Sequence, residues 1–257
     1  MRSKTALVTG AASGIGLAIG SDLARQGFTV WLSDARLDAA ESAAQELRGK
    51  GFTVNAIKLD VSSEADIANA LASLEDAGGY VDVLINNAGI QHVARLEDFP
   101  VDRWKLLTEI LLIGPAMLSR AVLPLMRRHN FGRIINVGSI HSLVASAHKS
   151  AYVAAKHGLL GFSKVVALET ADQNITINTL CPSYVKTALV EQQIASQAKA
   201  HGISEEDVIN KIMLEPMPKK SFIEMDELNG AVNYLISDAA RNMTGQELVL
   251  DGGWTVK

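Results

Sequence analysis

Short apolar runs and amphipathic stretches alternate along almost the whole chain. Residues 6–8, 29–32, 54–57, 83–85, 133–137, 175–180 and 247–250 are brief, mostly apolar and bounded by turn-forming residues, the pattern of strands. Between them, helical spacing predicts a helix ending at Gln26 and further helices over 38–48, 64–75, 103–128, 150–169 and 227–237. Gly49 and Gly51 end the second of these. Strands that are apolar throughout are the kind covered by helices on both faces. The rhythm therefore predicts an α/β fold, a doubly wound parallel sheet of seven strands. No linker, repeat or low-complexity segment interrupts it, so residues 1–257 are expected to form one domain.

One stretch breaks the rhythm. Residues 186–223 carry two amphipathic helical patterns, 188–199 and 204–214, followed by Pro216-Met-Pro-Lys-Lys220. An insertion after a strand's carboxyl end lies over the crevice where such sheets bind ligands, so it is expected to be a substrate lid.

Composition narrows the field. Of 257 residues, 48% are hydrophobic, enough for a sizeable core, and the net charge is −4. No long basic run is present, which argues against nucleic acid as a partner. Cys181 is the single cysteine, so neither an intramolecular disulfide nor a thiolate metal cluster is possible. His92, His129, His148, His157 and His201 show no metal-ligand spacing, and no metal is expected. The first residues run straight towards a strand without a signal peptide's apolar stretch, and no apolar run approaches the ~18 residues of a membrane span. A cytoplasmic protein without membrane partners is the expectation.

Two groups of residues carry chemistry. Thr9-Gly-Ala-Ala-Ser-Gly-Ile-Gly16 lies between the first strand and its helix. Gly10, Gly14 and Gly16 allow a tight turn and close approach of a ligand, and Ser13 and Ile15 stand between them. The helix start behind them offers free N–H groups and a positive dipole end to a pyrophosphate. Asp34, just past strand 2, can accept from a ribose 2′-OH and would repel a 2′-phosphate, which favours NAD over NADP; Arg36 nearby softens that repulsion. Asp60 can accept from an adenine amino group while Val61 covers the ring. Asn86-Asn87-Ala88-Gly89 closes strand 4 with small residues that leave room for a ribose and amides that can tie loops together. The second group is Tyr152 and Lys156. Their i,i+4 spacing on a helix puts both on one face. A cation beside a phenol favours phenolate and makes it a usable acid/base.

Together with Ser139, Pro182 and the terminal Asp251-Gly-Gly253, these residues resemble the short-chain dehydrogenase/reductase family over essentially the whole chain. The resemblance implies a Rossmann-like sheet and hydride transfer between a nicotinamide and a carbinol or carbonyl carbon. It implies Tyr152 as general acid/base, Lys156 lowering its pKa and holding the nicotinamide ribose, and Ser139 orienting the substrate oxygen. It places Pro182, Ser183, Val185 and Thr187 beside the nicotinamide and carboxamide, and suggests a homotetramer with helices 103–128 and 150–169 between subunits.

Within that family, Gly89-Ile-Gln-His-Val-Ala94, His141, Lys149, residues 150–158, Leu189-Val-Glu-Gln-Gln-Ile194 and Gly252-Gly-Trp-Thr255 are similar to the bacterial D-3-hydroxybutyrate dehydrogenases. That group holds a small anionic hydroxy or oxo acid by its carboxylate. The matching residues are Gln91, His141, Lys149 and Gln193, all able to donate to a carboxylate, with Lys149 adding opposite charge. Trp254 and Tyr184 can wall in the carbon chain. The chain departs from the family at Leu111, where an Asn usually sits in a distorted helix whose carbonyl holds a proton-relay water. Pro115, four residues on, has no N–H for the Leu111 carbonyl and pushes it aside, so either the relay survives by backbone means or Pro115 only kinks the helix. The competing readings are another dehydrogenase or reductase of the family, such as a 3-oxoacyl reductase, and a nucleotide-binding protein with little catalysis.

Overall fold

The computed structural model describes residues 3–256; Met1, Arg2 and Lys257, the ends of the expected domain, lie outside the described residues. Seven strands, β1 (Thr5–Thr9), β2 (Thr29–Asp34), β3 (Val54–Lys58), β4 (Val83–Asn86), β5 (Gly132–Val137), β6 (Ile175–Pro182) and β7 (Glu247–Leu250), form one sheet in the order β3-β2-β1-β4-β5-β6-β7. Every neighbouring pair is parallel. The strand order reverses between β1 and β4, the place where such sheets open a crevice at their carboxyl ends.

Side-chain alternation along the strands supplies two cores. In β1, Ala6 and Val8 face one layer and Leu7 the other. The first layer is closed by Ile19 and Leu23 of α1 (Gly14–Arg25), Ala44 and Leu47 of α2 (Leu37–Gly49), and Leu228 and Val232 of α9 (Met225–Ile236). The second is closed by Ile67 and Leu74 of α3 (Glu64–Asp76), Leu118 and Val122 of α5 (Gly114–His129), and Val166 of α6 (Ser150–Glu169). Helix α9 starts earlier than its apolar pattern suggests. Glu224 stands at its N-cap, and the Glu224 N–H donates to Glu227 Oε2 at 2.8 Å, which fixes the first turn upstream.

The expected helix over 103–128 is three pieces: α4 (Val101–Thr108), a widened π turn over Glu109–Ile113, and α5. The Gly114 N–H reaches back five residues to the Glu109 carbonyl, and the next residue, Pro115, has no N–H to continue the ladder. The distortion falls on Leu111, as the position of Pro115 predicts. A Cβ on Gly114 would sit 2.7 Å from the Val61 carbonyl, so glycine lets this turn press against the loop after β3. By length and composition Val101–His129 also contains an 18-residue window apolar enough to cross a membrane, with a mean hydropathy of 1.7. The expectation of no such stretch therefore holds for uninterrupted apolar runs and not for the average. This helix carries Glu109 and Arg120, while Leu107, Leu111, Leu118, Val122 and Met126 are buried in the fold, which accounts for its apolarity.

The inserted segment folds as α7 (Ala188–His201), ended by Gly202 in the left-handed region, then α8 (Glu205–Val208) and a second π turn, Ile209–Met213. Ile194, Val208 and Met213 form its own small core. Its two ends are pinned together where Val185 bridges Ile223 and the Ile223 N–H donates to the Tyr184 carbonyl at 2.9 Å.

Candidate active site

A cavity of about 510 Å³ opens over the carboxyl ends of the central strands and under α7. One end is made largely of backbone. Gly10, Ser13, Gly14 and Ile15 line it. Gly10 and Gly14 have φ of +60° and +58°, and a Cβ on Gly14 would meet nothing, so that side faces open space. Gly16 lies behind the wall, where a Cβ would meet Asn87 Nδ2 at 2.5 Å and the Gly10 carbonyl at 2.6 Å. The Ser13 side chain does not cap α1, so it leaves the first-turn N–H groups available to a ligand. Asn87 fastens the turn by donating to the carbonyls of Thr9 (2.9 Å) and Gly10 (3.1 Å). Thr9 Oγ1 in turn accepts from the N–H groups of Asn87 and Ala88. Asp34 and Arg36 stand on the wall at the end of β2; Asp34 accepts from the Arg36 N–H at 3.1 Å, with the guanidinium Nε 3.7 Å away. This donor set fits a dinucleotide: an open left-handed turn, an uncapped helix start and a carboxylate placed for a ribose.

Besides Gly16, three expected nucleotide residues are not on the wall. Asp60 accepts from the N–H and hydroxyl of Ser62, Val61 is buried beneath Gly114, and Ala88 packs against Gly10. Asn87 and Gly89 do line it, as do Pro182, Ser183, Val185 and Thr187. The Ser183 N–H is held by the Leu250 carbonyl at 2.8 Å, and the Thr187 hydroxyl accepts from the Val190 N–H to cap α7.

Ser139, Tyr152 and Lys156 meet in the middle of the cavity. Ser139 follows β5 and begins the short turn Ile140–Ser142; its Oγ accepts from the His141 N–H at 3.2 Å. Tyr152 and Lys156 lie one turn apart on α6, with Lys156 Nζ 5.7 Å from the centre of the phenol ring. Lys156 is only 5% exposed and donates to the Val137 carbonyl at 2.6 Å. Burial lowers its pKa to about 8. The expected lowering of Tyr152 is not the state of the free site. Burial raises the phenol above its ordinary value, against a lowering hydrogen bond with Ser139. Desolvation is the largest cause, and the nearby Cys181 and Tyr184 add to it.

The other end of the cavity is made of side chains: Gln91 after β4, His141 after β5, Lys149 at the start of α6 and Gln193 on α7. Lys149 Nζ lies 3.2 Å from His141 Nε2 and 5.7 Å from the centre of the Tyr184 ring. The backbone aims Lys149 through His148, which adopts φ +67° and whose carbonyl accepts from the Ala94 N–H at 3.0 Å. Trp254 stands one layer back, stacked on Tyr184 and edge-on to His141. Asp251 sets that turn by accepting from the N–H groups of Gly253 and Thr255, both at 2.8 Å.

Sequence reasoning did not find Val137, Gly138, Ile90, Ile140 or Val190 on the wall. Val137 acts through its carbonyl, which leaves no trace in residue type. Gly138 had a signal, a lone glycine closing an apolar strand; a Cβ there would sit 2.7 Å from Thr179 Cγ2.

A family profile described as short chain dehydrogenase matches residues 4–198. An uncharacterized oxidoreductase of Bacillus subtilis (strain 168) is 43% identical over 257 residues, all of both chains. A D-beta-hydroxybutyrate dehydrogenase of Rhizobium meliloti (strain 1021) is also 43% identical, covering 99% of this chain and 100% of the other. The crystal structure of a variant actinorhodin polyketide ketoreductase with NADPH superposes with a TM-score of 0.93 at 31% identity, covering 98% of this chain and 97% of that one.

Proposed function

The chain belongs to the short-chain dehydrogenase family, and from that premise we propose that it is an NAD-dependent D-3-hydroxybutyrate dehydrogenase, interconverting (R)-3-hydroxybutyrate and acetoacetate. The observation that carries this reading is Lys149. It is an ammonium on the cavity wall with no carboxylate paired to it among the described residues, beside Gln91 and Gln193 and one turn of helix from Tyr152. A short acid bound there by its carboxylate presents its C3 oxygen towards Ser139 and Tyr152. A 3-oxoacyl thioester would bring no anion to that ammonium, which disfavours the reductase alternative.

Ser139 orients the hydroxyl, Tyr152 takes its proton in the oxidation direction, and Lys156 holds the phenol's surroundings positive. Bound nicotinamide supplies the hydride acceptor. Gly10, Ser13, Gly14, Ile15 and Asn87 would hold the dinucleotide backbone, and Asp34 its adenosine ribose. Proton exchange with solvent runs past the π turn, where Pro115 withholds a donor from the Leu111 carbonyl. Leu111 itself lines the cavity beneath Gly89, so the backbone replaces the missing side chain. A homotetramer and a cytoplasmic setting go with this reading; Val165 and Leu168, 54% and 80% exposed on α6, supply an apolar face for a second copy.

The direct test is NADH formation from NAD and (R)-3-hydroxybutyrate, set against NADPH formation from NADP. Turnover with NAD preferred is expected, and Asp34→Ala should move the preference towards NADP by about tenfold. Failure to oxidise this acid, with turnover of another alcohol, rejects the assignment.

A further inference from the structure

Ser139 is held from behind by a side chain that does not reach the cavity. Just past β5, the Gly138 N–H still donates to the Leu180 carbonyl of β6 at 2.7 Å. At Ser139 the chain leaves the sheet, still extended at φ −166° and ψ 165°. Its N–H needs another acceptor and takes Ser142 Oγ at 3.2 Å. The Ser142 N–H returns to the Ser139 carbonyl at 2.8 Å, and this reciprocal pair closes the turn Ile140–Ser142. The closed turn brings the His141 N–H to Ser139 Oγ at 3.2 Å. With a lone pair occupied there, the Ser139 hydroxyl donates to Tyr152, the one contact that works against the phenol's burial. Cys181 Sγ lies against both the Ser142 side chain and the Ser139 N–H. Sulfur is a weak acceptor, and burial pushes this thiol up to about 11, so no thiolate takes over the task of Ser142. The hydroxyl also has its space reserved: a Cβ on Gly138 would lie 2.9 Å from Ser142 Oγ.

We propose that Ser142 is a positioning residue for the reaction, one that fixes Ser139 in the orientation serving Tyr152 and the reacting oxygen. Ser142 is 1% exposed and lies behind the cavity wall, so it touches neither substrate nor nucleotide. Its hydroxyl satisfies a buried N–H of Ser139 itself, and its backbone closes the turn that selects one of the three staggered Ser139 rotamers. Glycine at 138 and serine at 142 are parts of one device, since a side chain at the first would displace the hydroxyl of the second. The proposal rests on the reading of Ser139 as the residue that orients the substrate oxygen, and it holds for any alcohol the site oxidises.

The test is the pH profile of alcohol oxidation in Ser142→Ala. Its rising limb, which reports the phenol acting as base, should move about half to one pH unit upward as the bond from Ser139 weakens. With it, kcat should fall about three- to tenfold while KM for NAD stays within twofold. A purely structural serine would lower the melting temperature and leave the limb in place, and that result overturns the proposal. Lys156, His141, Cys181 and Tyr184 are the other titratable groups around Tyr152. Of these Cys181 bonds Ser142, so Cys181→Ala is the control; a limb raised equally by it would assign the effect to the sulfur and reject Ser142. Gly138→Ala presses on the same hydroxyl without removing it and should move the limb in the same direction, which decides the matter where Ser142→Ala does not fold. If (R)-3-hydroxybutyrate is not turned over, the substrate assignment fails on its own. A crystal structure of Ser142→Ala then decides: Ser139 Oγ turned away from Tyr152 supports the positioning role, and Ser139 in its wild-type rotamer rejects it.

Discussion

The two ends of the cavity are made of different materials. At the nucleotide end, positive-φ glycines, an uncapped helix start and an asparagine fastened to backbone carbonyls do the holding. At the substrate end, Gln91, His141, Lys149 and Gln193 come from four separate segments and act through side chains. A backbone cradle is tied to the sheet that builds it, and few residue types fit it. A side-chain site can change one residue at a time without disturbing a strand, which is how one scaffold carries many substrates. Chemistry common to a family belongs at the first end and specificity at the second.

The largest expected effect lies where the ends meet. Tyr152→Phe should lower kcat by about 10²–10⁴ while nucleotide affinity, read by fluorescence titration, stays within a few-fold. Near-normal turnover would remove the phenol from the mechanism. The next effect separates the ends by pH. Burial, with Lys149 beside it, lowers the His141 imidazole from its ordinary 6.5 to about 4. Below pH 6.5 the unfolded chain takes up a proton that the folded ring refuses, so stability present above pH 6.5 is lost as pH falls towards 4. The loss is on the order of 3 kcal/mol, and His141→Gln should abolish that part of the acid slope in denaturant titrations. An unchanged slope would mean the ring is not held neutral. Smallest is the backbone end: Gly16→Ala, which places a methyl 2.5 Å from Asn87 Nδ2, should cost about 1–3 kcal/mol of stability and weaken nucleotide binding without altering the acid slope. If the acid slope moved as well, the two ends would not be independent.

Much of this architecture was legible because strands buried on both faces are mostly apolar; β1, β5 and β6 are buried at every position. The glycine turn was legible for a similar reason, since at Gly10 and Gly14 the φ values favour glycine. The break at Glu109–Ile113 was announced by Pro115, whose missing N–H is written in its residue type. The second π turn, Ile209–Met213, contains neither Pro nor Gly and had no signal. Proximity of Tyr152 and Lys156 could be read from their spacing, but their depth could not, and depth decides that the free phenol is raised. The pairing of Lys149 with His141 crosses a left-handed turn at His148, a backbone state that a histidine does not announce. Asp60 and Val61 were read from their place after β3; in the structure Asp60 accepts from Ser62 and Val61 packs beneath Gly114.

The most direct test of the central claim, that Lys149 receives the charge of a small acid, compares kcat/KM for (R)-3-hydroxybutyrate with that for its uncharged methyl ester in wild type and Lys149→Ala. The account predicts that the wild type prefers the acid by about tenfold or more and that the preference disappears in the variant, through KM. Equal or better use of the ester by the wild type, or an acid preference that survives the loss of Lys149, would contradict it.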